Sequence, residues 1–312
     1  MRSPFCLVAG LSLVLVIVLC IAFNCATLSP WTDIVDVPKH EQGSLATYVS
    51  AIENDLVSSG YQTPNAEDVT RIKVVASELL TAIGSGTMTE FRKASYYASD
   101  LRYEIVKYTD VDHGTIHYIL RERQDGERGY GIFIFNSLQR SQVIVEAPHP
   151  QTDLYTGSLS IRVYADSDAR AFLMATARTD ASPSADVSHE PSSFFEAVHE
   201  VLVSAESIVI QVHGFSLAEH PEYPDVVISS GTTETTAQTR ELGEAFSARG
   251  FSVGIFEGLQ WSDLSGRRSV QGRQVGLAGG AFIHIELELA MRTENADLTA
   301  SIISNFVAAQ PP

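Results

Sequence analysis

The chain has 312 residues, 45% of them hydrophobic, and carries a formal net charge of −17 with a sequence pI near 4.8. That apolar share supports one large domain or two modest ones and argues against wholesale disorder. The acidic balance repels phosphate backbones and argues against a nucleic-acid partner.

The first residues read as a targeting segment. Arg2 supplies a small positive start, and the run from Leu7 to Phe23 is uncharged and almost wholly apolar. Its length lies between a signal-peptide core and a spanning helix. Residues 1–26 are therefore expected to be a signal peptide cleaved after Ala22, or an uncleaved N-terminal membrane anchor. Either expectation makes the body exported (periplasmic or extracellular) or N-terminally membrane-anchored, with membrane contact only through this segment. All three cysteines, Cys6, Cys20 and Cys25, lie in or beside it. The body thus lacks a disulfide framework, a thiol nucleophile and a cysteine metal site, and any metal must be held by His, Asp and Glu.

Residues 27–42 read as a polar, proline-containing linker. Residues 43–140 read as an N-terminal α+β subdomain: amphipathic helices near 43–59 and 66–83, the second capped by Asn65 and ended by "GSG", then strands at 101–108, 115–122 and 129–135 separated by Asp/Gly turns. From 141 to 312 strands and helices alternate. Strands are expected at 142–147, 170–176, 207–212, 225–229, 251–256 and 282–287, and helices near 156–166, 192–204, 235–248 and 295–308, with residues 265–280 as a Gly/Arg-rich loop. This is an α/β pattern: a mixed, mostly parallel sheet flanked by helices, with the N-terminal helices and meander as an elaboration. Ligands of such sheets sit beyond the carboxyl ends of the strands.

Several strand ends carry reactive residue types. The first gives "VIVEAPHPQTD", with Glu146, His149 and Asp153. A later one gives "VIQVHGF", with His213. The last gives "FIHIELELAMR", where His284 and Glu286 share one face by the period of two. "ARTDASPSADVSH" offers Arg178, Asp186 and His189. A catalytic zinc takes two His and a carboxylate and keeps one position open. A nearby Glu can then accept the proton of the activated water.

The stretches "VIVEAPHPQTD", "VIQVHGF" and "FIHIELELAMR" resemble the zinc carboxypeptidase and N-formylglutamate amidohydrolase type of metallohydrolase, over roughly residues 142–292. The resemblance implies a phosphorylase/hydrolase-like sheet, a Zn2+ cofactor, and hydrolysis of an amide or peptide bond in a small-molecule or peptide substrate. It implies His149 and His213 as metal ligands and Glu286 as the catalytic base. One departure stands out. The carboxypeptidases place their acid ligand as H-x-x-E, but Thr152 occupies that place here. Asp153, one residue further on, is the expected ligand, with Glu146 as second choice. Asp186, His189 and His284 are expected as supporting groups around the metal. Arg178 and Arg273 are expected to hold a substrate carboxylate, and Arg267 and Arg268 of the same loop stand out beside Arg273.

Each residue has a plainer reading: His149 as a turn residue between prolines, His213 as a strand cap, Glu286 and Glu288 on a solvent face. Two other classes compete. A non-catalytic exported binding or scaffold protein could keep the same fold. A serine hydrolase could use Ser252 in "GFSVG", but that stretch runs helix to strand, the reverse of a nucleophile elbow.

Overall fold

The computed structural model describes residues 38–124 and 127–311. Residues 1–26, expected from sequence as a signal peptide or membrane anchor, lie outside them. Among the described residues no helix is long and apolar enough to cross a membrane.

Ten strands form one sheet: β1 (Lys39–Gly43), β2 (Tyr103–Asp110), β3 (Thr115–Glu122), β4 (Ile132–Asn136), β5 (Val143–Ala147), β6 (Ala171–Met174), β7 (Ile208–Gly214), β8 (Val226–Ser229), β9 (Val253–Ile255) and β10 (Ala281–Leu287). Their order is β1-β2-β3-β4-β6-β5-β7-β10-β8-β9. Five of the nine pairings run parallel, including the central run β6-β5-β7-β10. The meander β2-β3-β4 joins that run through the antiparallel β4–β6 pair, so the N-terminal elaboration and the α/β part share one sheet.

Alternation along the strands divides the core in two. Val143, Val145, Ile208, Ile210, Val212, Ile283 and Ile285 face one layer, built from α1 (Leu45–Glu53), α4 (Thr156–Ala165), α6 (Ala237–Ser247) and α9 (Ala296–Ala309). Ile144, Val209 and Phe282 face the other, built from α2 (Ala66–Ser85), α3 (Met88–Asp100), α5 (Phe194–Leu202) and α7 (Val270–Ala278). On this second face the three strands change character toward their carboxyl ends. The next positions in phase are Glu146, Gln211, His213, His284 and Glu286.

Three local expectations need correction. Residues 39–43 are not linker but the edge strand β1, held by its parallel ladder to β2 and not by any apolar alternation. Residues 88–100 form α3, whose Phe91, Ala94, Ser95 and Ala98 bury one face at helical spacing. The 265–280 stretch contains α7, capped by Ser269 and stopped by Gly279 in the left-handed region. Its Gly272 packs where a Cβ would meet the Phe282 ring, so a glycine that weakens helix propensity is required there by packing.

Candidate metal centre

His149 follows β5 in a single helical turn, in which the Asp153 N–H donates to the His149 carbonyl at 2.8 Å. That spacing of four puts both side chains on one side of the turn. Tyr155, next but one, holds a left-handed conformation (φ 71°) before α4 begins. The N-terminal part of the chain braces this loop from behind. Glu53, at the end of α1, accepts from the backbone N–H groups of Gly157 and Ser158 at 2.9 Å, and so satisfies donors that the first turn of α4 leaves open.

His213 ends β7 and Glu286 lies near the end of β10, paired in register across the parallel ladder. One step back in the same register, His284 pairs with Gln211. His213 Nδ1 lies 3.0 Å from Asp153 Oδ2, and His149 Nδ1 lies 3.7 Å from the same oxygen. One ligand atom from each of His149, Asp153 and His213 falls within 4.8 Å of the others. The two imidazoles stand edge-on, with ring centres 4.8 Å apart. The far nitrogen of each ring is also held: His149 Nε2–H donates to Asp186 Oδ1 at 2.8 Å, and His213 Nε2 meets Gln211 Oε1 at 3.1 Å. Asp186 also receives His189 Nδ1 at 2.7 Å.

His149, Asp153, Gln211 and His213 form the floor of a cavity of about 650 Å³. His284 and Glu286 share the floor, 3.1 Å apart, and the His284 ring lies 4.5 Å from that of His213. The stretch 262–269, His189 and Ser188 make the walls. Glu286 is 8% exposed and lines this cavity, so it does not sit on an open solvent face.

The electrostatics follow from burial and close pairing. Burial alone would depress His149, but the Asp153 and Asp186 carboxylates outweigh it and lift the imidazole to about 9. Burial pushes Asp153 and Asp186 up, but their histidine partners hold both well below the usual carboxylate range. Burial and the neighbouring His284 push His213 down. Burial takes His284 down to about 3. Burial, opposed by His213 and reinforced by Asp153, raises Glu286 to about 8. At neutral pH the His284–Glu286 contact is therefore a hydrogen bond between largely uncharged groups, not an ion pair.

The remaining sequence candidates are placed elsewhere. Glu146 is fully buried beneath the floor, bound to His199 Nδ1 at 2.6 Å and Gln211 Nε2 at 3.0 Å. Its place is therefore behind the ligands and not in the cavity. Arg178 is engaged with Asp180 and Gln151, and Arg273 lies on the exposed side of α7, donating to the Arg268 carbonyl. Neither lines the cavity; the arginines that do are Arg267 and Arg268. The Arg267 guanidinium lies over the Phe256 ring at 5.2 Å.

Two residues at the site were not singled out from sequence. Gln211 carried a readable signal, a polar side chain in phase with His213 within an apolar strand. Arg292 carried none. It is 5% exposed and donates to the carbonyls of Leu154 and Phe215, tying the Asp153 loop to the end of β7. Gly214 makes room for it, since a Cβ there would run into the guanidinium.

No protein-family model matches the chain, and no curated protein matches it. Solved structures do. The zinc-free apo form of YNDL is 13% identical over 54% of this chain and 85% of its own, with a TM-score of 0.41. An N-formylglutamate amidohydrolase from Ralstonia eutropha JMP134 is 9% identical over 55% of this chain and 92% of its own, with a TM-score of 0.39.

Two imidazole nitrogens and a carboxylate oxygen converging on the lining of a cavity suit a divalent metal ion that keeps a position for water. The partners on the far nitrogens supply the outer support that such ligands need. The donor set on this chain fits the metal.

Proposed function

We propose that the chain is a zinc-dependent hydrolase of an amide or peptide bond in a small, carboxylate-bearing substrate. The observation that carries this reading is the convergence of His149, Asp153 and His213 within 4.8 Å at the floor of the cavity, beside the buried Glu286. His149, Asp153 and His213 would hold the metal. Bound zinc would supply Lewis acidity and a water whose pKa is lowered toward about 7.

The chain's own residues supply the rest. A carboxyl poised near neutrality by burial can take a proton from the attacking water and return it to the departing amine, and Glu286 is in that condition. A cation beside it would favour its ionised, proton-accepting form. Arg267 and Arg268 lie on the cavity wall in an acidic protein, and their guanidinium groups suit a substrate carboxylate. The cavity volume suits a short peptide or an acylated amino acid better than a folded protein. Export through residues 1–26 belongs to the same proposal.

The test is metal analysis of the full chain beside a His149→Ala/His213→Ala variant. About one zinc per parent chain and none in the variant supports the reading. No metal in either after incubation with zinc overturns it in favour of a binding protein.

A further inference from the structure

Two segments far apart in sequence wall the cavity: Ser188 with His189, and residues 262–269. In the second, Arg267 and Arg268 are the central residues of a tight turn, closed by the Ser269 N–H donating to the Gly266 carbonyl at 2.9 Å. Gly266 opens the turn in the left-handed region (φ 62°) and packs on the His284 ring, where a Cβ would not fit. Ser269 closes it and is also the N-cap of α7, its Oγ accepting from the Gly272 N–H at 3.1 Å. The direction of both arginines therefore depends on what fixes the start of α7.

The helix does not fix itself. It has nine residues, with Gly272 and Gly276 among them, too short and too weak in propensity to form alone. Its first turn is anchored by Gln271, whose side chain is fully buried. A backbone carbonyl can only accept, so the Gln271 atom facing the Val187 carbonyl at 3.0 Å is the amide nitrogen. That nitrogen gives its other hydrogen to Glu196 Oε2 on α5 at 2.8 Å. The amide oxygen accepts from Ser269 Oγ and from Gln211 Nε2, each at 3.2 Å. Both donor and both acceptor positions of the amide are then filled. Beside it, the Val270 N–H donates to the Ser188 carbonyl at 2.8 Å. One amide thus joins the arginine turn, through Ser269, to the opposite wall segment, through Val187. Glutamate in its place would offer no donor, and methionine only a weak acceptor.

We propose that Gln271 is a positioning residue for substrate binding: it pins the Gly266–Ser269 turn to the 187–189 segment, so that Arg267 and Arg268 meet a substrate carboxylate as a preformed pair. This rests on the reading of those two arginines given above. It adds a residue that lies beneath the wall and does not itself line the cavity. Its effect on binding must therefore pass through the turn. A turn held in advance has less freedom to lose when the ligand arrives, and that saving appears as affinity.

The experiment joins two readouts on the full chain supplied with zinc. Hydrogen exchange followed by mass spectrometry reads how firmly 187–189 and 266–270 are held without any ligand. Calorimetric titration with N-acetylglutamate, a small acylated amino acid with two carboxylates, reads the arginine pair. In Gln271→Met, exchange in both segments should quicken about tenfold while β7 and β10 keep the parent rates, and the probe should bind about tenfold more weakly. In an Arg268→Ala background the same substitution should cost clearly less, because the two residues then act along one path. Unchanged exchange at 266–270 overturns the proposal. So does a loss of affinity as large without Arg268 as with it, or probe binding within about twofold of the parent. If Gln271→Met does not fold, Gln271→Asn, which draws the amide back by one methylene, takes its place with the same outcomes. A parent that does not bind the probe overturns the carboxylate reading of the arginines instead, and the exchange rates still decide whether Gln271 holds their turn.

Discussion

His213 on β7 and Glu286 on β10 stand directly opposite each other in the parallel ladder, with their side chains on the same face of the sheet. Register alone brings the proposed ligand and the proposed base together. Neither depends on a flexible loop for its position, and both strands are buried along their length. Only His149 and Asp153 reach the site from a turn, and that turn is held by Arg292 on one side and Glu53 on the other.

Glu286→Gln separates metal binding from proton transfer. The amide keeps the size of the side chain but cannot accept the proton. The variant is expected to hold zinc like the parent while turnover of an amide substrate falls about 10²–10⁴-fold. Metal content and kcat on one preparation check this, and unchanged kcat would remove Glu286 from the mechanism.

Arg267→Ala and Arg268→Ala should raise KM for a carboxylate-bearing substrate by about 10–100-fold, the size of a lost charge-assisted hydrogen bond. Arg178→Ala and Arg273→Ala should leave KM near the parent value, since both guanidinium groups are engaged outside the cavity. Steady-state kinetics on the four variants tests the assignment. A larger effect at Arg178 or Arg273 would reverse it.

Glu53→Leu removes the acceptor for the Gly157 and Ser158 N–H groups at the start of α4. The expected loss is about 1–3 kcal/mol of stability, because those donors have no other partner there. Urea titration measures it as a lower midpoint with an unchanged slope.

Acid sensitivity should trace partly to His117. It is buried between Tyr164 and Thr115, each at 2.8 Å, and burial pushes it down to about 4. Its folded value lies below the unfolded value of about 6.5. The neutral form is favoured by folding, so this stability is full above about pH 6.5 and is lost as pH falls toward 4. The term is on the order of 3 kcal/mol. Thermal unfolding from pH 7 to 4 should show a shallower decline in His117→Gln than in the parent. Part of the decline should remain, because His284 is depressed in the same sense. Equal slopes would assign the acid loss to other groups.

Gly214→Ala should disturb the centre without touching a ligand. The added methyl would displace Arg292 from the Leu154 and Phe215 carbonyls, at a cost of about 1–3 kcal/mol. A fall in both melting temperature and zinc affinity is expected. Loss of neither would mean that Arg292 does not clamp the loop.

Much of this was legible in the sequence because it is written in local periods. The period of two places His284 with Glu286, and a reader extending it places Gln211 with His213. The alternation of strands and helices after residue 141 dictates an α/β layer with its chemistry at strand ends. Caps at Asn65 and Gly86 bound α2 as their residue types require. The tertiary structure decided what depends on distance. Strand order brings β5, β7 and β10 side by side, and no local pattern encodes which strands become neighbours. It put Glu146 beneath the floor and Asp153 beside His213, though both flank His149 in sequence, because a strand and a turn aim their side chains differently. It drew Arg267 and Arg268 onto the cavity wall and left Arg273 outside by folding 270–278 into a helix that the glycines of that stretch oppose and that packing against Phe282 makes possible. Residue types set the chemistry available to the chain, and the packing of elements far apart in sequence set which of those residues meet.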